Sequence, residues 1–125
     1  MIYTAGPVTG FENNNREAFE EARRQMVEAT LASFGIDDRA RGGRPYTVAA
    51  SRNILTPHEI VPAGAEWTEA MRICLRALTH ADTLVYLPGS QDSQGAKLEM
   101  KVARALGIPV YSLEQYLKHL EHERK

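Results

Sequence analysis

Cysteine occurs once in these 125 residues, at Cys74, so no internal disulfide framework can form, and a reducing compartment, the cytoplasm, is the expected location. Neither sign of charge dominates: 15 Lys and Arg stand against 16 Asp and Glu, which removes the electrostatic footprint of a binder of nucleic acid polymers. No apolar run approaches membrane-spanning length and residues 1–20 lack a signal-peptide pattern, so no membrane partner is expected. No spacing of His, Cys and acidic residues makes a zinc site, so neither a metal nor another cofactor is expected. What remains is a chain with 43% hydrophobic residues, which fits a globular protein of one domain, residues 1–125.

Apolar runs of strand length alternate with segments of helical period. Residues 1–5 read as a first strand, stopped by Gly6-Pro7. Asn14-x-x-Glu17 reads as a capping-box variant before a long helix whose core face carries Phe19, Ala22, Met26 and Ala29, with Arg16, Glu20, Arg23 and Arg24 mostly toward water and Gly35 at its end. No period is sustained from Asp37 to Arg52. Arg39, Arg41, Arg44 and Arg52, with Gly42-Gly43, predict a mobile basic loop, either a flap over an acidic substrate or else a solvated insertion or a subunit contact. A second strand at 53–56 ends at Pro57, placing His58 and Glu59 just beyond its carboxyl end, where open α/β sheets bind ligands. A helix over 66–79 has Trp67, Met71, Cys74 and Leu78 on one apolar stripe. A last strand is expected at 108–111, and Ser112-x-x-Gln115 caps a final helix that packs Tyr116, Leu117 and Leu120. This alternation predicts a doubly wound, flavodoxin- or Rossmann-like parallel sheet of four to five strands flanked by helices.

The stretch from Leu87 to Glu99 is the most informative. Residues 83–87 form a short, nearly all-apolar strand, and Pro88-Gly89 stops it. Residues 90–94 supply hydroxyls, amides and a helix start whose free N–H groups favour an anion such as phosphate. On the helix over 95–106, Lys97, Lys101 and Arg104 cluster on one side, and Glu99 falls opposite them on the stripe of Ala96, Ala103 and Leu106. A carboxylate aimed at the sheet needs a local partner or a function. From spacing alone a Glu satisfying the helix N-terminus and a functional Glu are equally good readings.

Ser93-x-Gly95-x-x-x-Glu99, the opening Ile2-Tyr3-Thr4-Ala5-Gly6-Pro7, and Ala81-Asp82 before an apolar strand together resemble the nucleoside 2-deoxyribosyltransferase-like superfamily, above all its short bacterial and phage members. The resemblance runs over most of the chain and weakens between Gly35 and Asn53. It implies the strand order 2-1-3-4, which sets the Gly6 loop and the Ser90–Gly95 loop across one crevice. It also implies catalysis by Glu99 as nucleophile with Tyr3 hydrogen-bonded to it, and a substrate held by Ala5, Gly6, Pro7, Gly89, Ser90, Ser93 and Gly95. Relatives acting on free nucleosides have aspartate where Ser93 stands, and those acting on nucleoside 5-phosphates have serine. A hydroxyl donates to phosphate where a carboxylate repels it, so a nucleoside 5-monophosphate is the expected partner. Cys74 departs from the pattern by standing where better-known relatives carry an aspartate facing the base. The expected activity is therefore N-glycosidic hydrolysis or deoxyribosyl transfer, with a non-catalytic nucleotide binder as the alternative. Relatives complete their sites across subunits, which implies a homo-oligomer.

Overall fold

In the computed structural model, residues 1–38 and 44–123 are described. The elements run β1 (Ile2–Ala5), α1 (Arg16–Ser33), α2 (Pro45–Arg52), β2 (Ile54–Leu55), α3 (Pro57–Ile60), α4 (Trp67–Leu78), β3 (Thr83–Tyr86), α5 (Gln94–Ala105), β4 (Val110–Ser112) and α6 (Leu113–Glu123). The four strands form one parallel sheet in the order β2-β1-β3-β4, with Tyr3 opposite both Leu55 and Leu84. The order expected from the resemblance is the order observed. The winding reverses between β1 and β3, so the loops leaving their carboxyl ends diverge and open a crevice.

Strand alternation sorts the core into two layers. Ile2 of β1 and Val85 of β3 join Phe19, Ala22, Met26 and Val27 of α1 and Tyr116 and Leu120 of α6. Tyr3, Ala5 and Leu84 face the other way, onto Cys74 and Leu78 of α4 and Ala96, Met100 and Ala103 of α5. Glu99 belongs to this second layer by position, 4% exposed. The reciprocal cap expected at the last helix forms: Ser112 N–H donates to Gln115 Oε1 at 3.0 Å, and Gln115 N–H donates to Ser112 Oγ at 3.1 Å.

Several expectations are corrected. The Asn14–Glu17 capping box is absent, because Asn13, Asn14 and Asn15 all adopt left-handed backbone (φ 51°, 55° and 62°) and α1 starts only at Arg16. Asparagine tolerates that region better than most residues, which is what the run of three provides. Residues 45–52, read as loop, form α2. Pro45 opens it, and the buried Asp38 carboxylate accepts from Thr47 N–H at 2.9 Å, a cap reaching in from nine residues upstream. Arg39, Arg41 and Gly42-Gly43 lie outside the described residues. Arg23 does not face water: its guanidinium donates to Ile54 O at 3.0 Å and pairs with Glu59, tying α1 to β2 and α3. Leu106, placed on the core stripe of α5, is exposed because the helix has ended and Leu106 is its C-cap. Trp67, assigned to the core face of α4, is 41% exposed. The last strand runs over Val110–Ser112 rather than 108–111.

Candidate functional site

Tyr3 and Glu99 meet in the second core layer. β1 points the Tyr3 ring toward α5, the first turns of α5 bring Glu99 over it, and the Tyr3 hydroxyl donates to Glu99 Oε2. Tyr3 is fully buried. Burial pushes the Glu99 carboxyl up to about 7, with the Tyr3 hydrogen bond pulling the other way. The same desolvation, reinforced by the Glu99 charge, holds the Tyr3 hydroxyl well above its ordinary range. Cys74 adjoins both: burial and the Glu99 charge raise its thiol, with the Tyr3 hydrogen bond again opposing, so the thiol is neutral near pH 7.

Glu99 is the floor of a cavity of about 1010 Å³ at the carboxyl ends of β1 and β3. The loop after β1 contributes Gly6, Pro7, Phe11 and Asn14, and α1 adds Arg16. The loop after β3 contributes Gly89, Asp92 and Ser93, the first turn of α5 adds Gly95, and α4 lines one wall with Trp67, Ala70, Met71 and Cys74. His58 of α3 and residues 61–65 complete it. Of the residues singled out from sequence, Glu99, Gly6, Pro7, Gly89, Ser93 and Gly95 come together on this surface. Tyr3 stands behind Glu99. Ala5 and Ser90 are fully buried outside the lining, and the Ser90 hydroxyl is turned to Leu87 O at 2.6 Å.

Each loop is held by local contacts. Ser93 is the N-cap of α5: its Oγ accepts from Ala96 N–H at 3.2 Å, which leaves its own proton free to donate into the cavity. Gly95 has no room for a side chain without pressure, since a Cβ there would stand 3.2 Å from Met71 Sδ and 3.8 Å from Trp67 Nε1. Gly6 is tighter still, with Phe19 Cζ at 2.9 Å from the same imagined atom and Leu87 at 3.2 Å. Gly89 takes φ +88°, open to glycine at little cost, and faces Pro7 across the crevice. The β1 loop is pinned where Asn15 Nδ2 donates to Pro7 O at 2.9 Å and where His58 Nε2 meets Asn14 O at 2.7 Å. His58 also stacks edge-on against Phe19, and its Nδ1 is buried without a partner among the described residues.

Sequence reasoning missed Phe11 and the role of Asn14, and assigned Trp67 elsewhere. The triple asparagine was the available signal for Asn14. Phe11 gave none, because a lone aromatic in a polar segment has no period to place it. Among the described residues, no group of three or more His, Cys, Asp or Glu could hold a metal ion, and no helix is long and apolar enough to cross a membrane. Chemically, the arrangement offers a carboxyl group near its midpoint of ionisation at neutral pH, beneath a helix N-terminus with a free hydroxyl. Such a group can act as nucleophile or exchange a proton.

A family described as Domain of unknown function (DUF4406) matches residues 44–112, more than half of the sequence. The chain belongs to the DUF4406 family. The matched segment of this DUF4406 chain runs from just before α2 through β4, and so contains Cys74, Ser93, Gly95 and Glu99, whereas Tyr3, Gly6 and Arg16 precede it. No curated protein and no solved structure matches this chain.

Proposed function

We propose that this DUF4406 protein cleaves the N-glycosidic bond of a nucleoside 5-monophosphate, by hydrolysis or by deoxyribosyl transfer, as the resemblance to the nucleoside 2-deoxyribosyltransferase-like superfamily implies. The observation that carries the reading is Glu99, buried against Tyr3 and yet open to the cavity floor. The transition state of glycosidic cleavage places positive charge on the anomeric carbon. The Glu99 carboxylate stabilises that charge or attacks the carbon to form a glycosyl ester, while Tyr3 orients it. The Ser93 hydroxyl and the start of α5 supply donors for the phosphate, and Arg16, exposed on the lining, supplies a cation. Incubation of the purified protein with ribo- and deoxyribonucleoside 5-monophosphates is expected to liberate free base, and Glu99→Gln to abolish it. Absence of release across the panel, or release unaffected by Glu99→Gln, overturns the proposal.

Cys74 favours a second reading, in which the protein binds a nucleotide and leaves it intact. The leaving base needs a proton, and a buried neutral thiol is a weak donor for it. Cys74→Asp separates the two: a gain in base release marks a glycosidase weakened at this position, and no gain with intact ligand recovered marks a binder.

A further inference from the structure

The β1 rim of the cavity holds a conformation that its own residues do not secure. Asn13, Asn14 and Asn15 are all left-handed, and such residues persist only where their surroundings over-determine them. The bond from Asn15 Nδ2 to Pro7 O is internal to the rim. The hold from another element is His58 of α3, whose Nε2 donates to Asn14 O at 2.7 Å, since a carbonyl only accepts. α3 is a single turn, Pro57–Ile60, too short to fix its own direction. α1 fixes it through two side chains one turn apart. The Phe19 ring meets the His58 ring edge-on at 4.8 Å, and Arg23 Nη2 pairs with Glu59 while donating to Ile54 O at 3.0 Å. Glu59 Oε1 also accepts from Thr56 N–H at 3.3 Å and from Thr56 Oγ1 at 3.1 Å, so the carboxylate that Arg23 grips closes the start of α3. Arg23 Nε is buried without a partner among the described residues, which leaves Nη2 to make the joint. Neither Arg23 nor Glu59 lines the cavity.

We propose that Arg23, outside the cavity, is a positioning residue for it: through Glu59 it sets α3, α3 sets His58, and His58 keeps Asn13–Asn15 left-handed, with Asn14 and Arg16 on the cavity lining. None of these contacts involves Glu99 or Tyr3, so the relay goes beyond the glycosidase reading, and only its effect on turnover rests on that reading. Arg23 governs how firmly the β1 rim grips a ligand. The bond-breaking step at Glu99 belongs to α5 and β1, which the relay does not touch.

Hydrogen exchange read by mass spectrometry tests the relay without any ligand. In Arg23→Met, which keeps the bulk and removes the donors, amides of residues 8–16 are expected to exchange about tenfold faster while those of α5 are unchanged. His58→Phe, which keeps the ring against Phe19 and removes the donor, is expected to do the same. The double variant is expected to exceed neither single by more than about twofold, because both act on one rim. Should circular dichroism show Arg23→Met unfolded, Glu59→Gln carries the same comparison from the other side of the pair. Unchanged protection of residues 8–16, exchange that rises equally in α5, or additive effects overturn the inference. Where base is released from a nucleoside 5-monophosphate, Arg23→Met is expected to raise KM about tenfold and to leave kcat within about twofold. A fall in kcat at unchanged KM overturns the inference and leaves the glycosidase standing. The expected exchange pattern without base release keeps the inference and removes the glycosidase.

Discussion

Glu99 faces two demands that pull in opposite directions. Packing in the second core layer favours its neutral form, while attack on a sugar requires the carboxylate. Its folded carboxyl titrates near 7 against about 4.5 for an unburied one, so the folded state holds the proton more tightly than the unfolded chain does. The stabilisation is complete below about pH 4.5 and is lost as pH rises through about 7, a difference of roughly 3 kcal/mol. Urea unfolding from pH 5 to pH 8 is therefore expected to show wild-type stability falling relative to Glu99→Gln, which has no such proton. Parallel profiles for the two proteins would place Glu99 in a polar environment instead. The inward direction of Glu99 was legible because three basic residues mark the solvent side of α5. Its partner came from the resemblance rather than from spacing, since residues 3 and 99 join only when β1 pairs with β3.

At the scale of elements, the loops around the cavity depend on glycines for different reasons. Gly6 lies where β1 ends under α1, and its hydrogen faces the buried Phe19 ring. Gly6→Ala must displace that ring or Leu87, neither of which has free space, so a loss of about 1–3 kcal/mol in chemical denaturation is expected. An unchanged midpoint would show that α1 can slide without cost. The helices themselves were readable to different depths. α4 and α5 carry apolar residues at helical spacing, and α5 has its own start signal in Ser93. α2 carries no buried residue and takes its cap from Asp38, on the far side of a segment that separates them in sequence. A local window sees no sustained apolar period there, so the helix was missed.

For the whole molecule, both core layers share one sheet, and no strand serves a single layer. Loss of packing on either side should therefore loosen the same four strands. Leu78→Ala, in the α4 and α5 layer, is expected to cost about 2–5 kcal/mol. It should also shift the unfolding transitions seen by Trp67 fluorescence and by far-ultraviolet circular dichroism together. Separate transitions would mean that the α1 and α6 layer stands without the other.

The sequence by itself determined the alternation of strands and helices, the inward carboxylate on α5 and the absence of metal-ligand spacing, because each is written in neighbouring residues at a period of two or about four. Only the tertiary structure decided that Trp67 leaves the core for the cavity wall, that Asn14 and His58 hold one rim together, and that Arg23 is taken up by Glu59 and Ile54. Those outcomes depend on contacts between segments distant along the chain, where local period carries no information and the geometry of the folded sheet sets which groups meet.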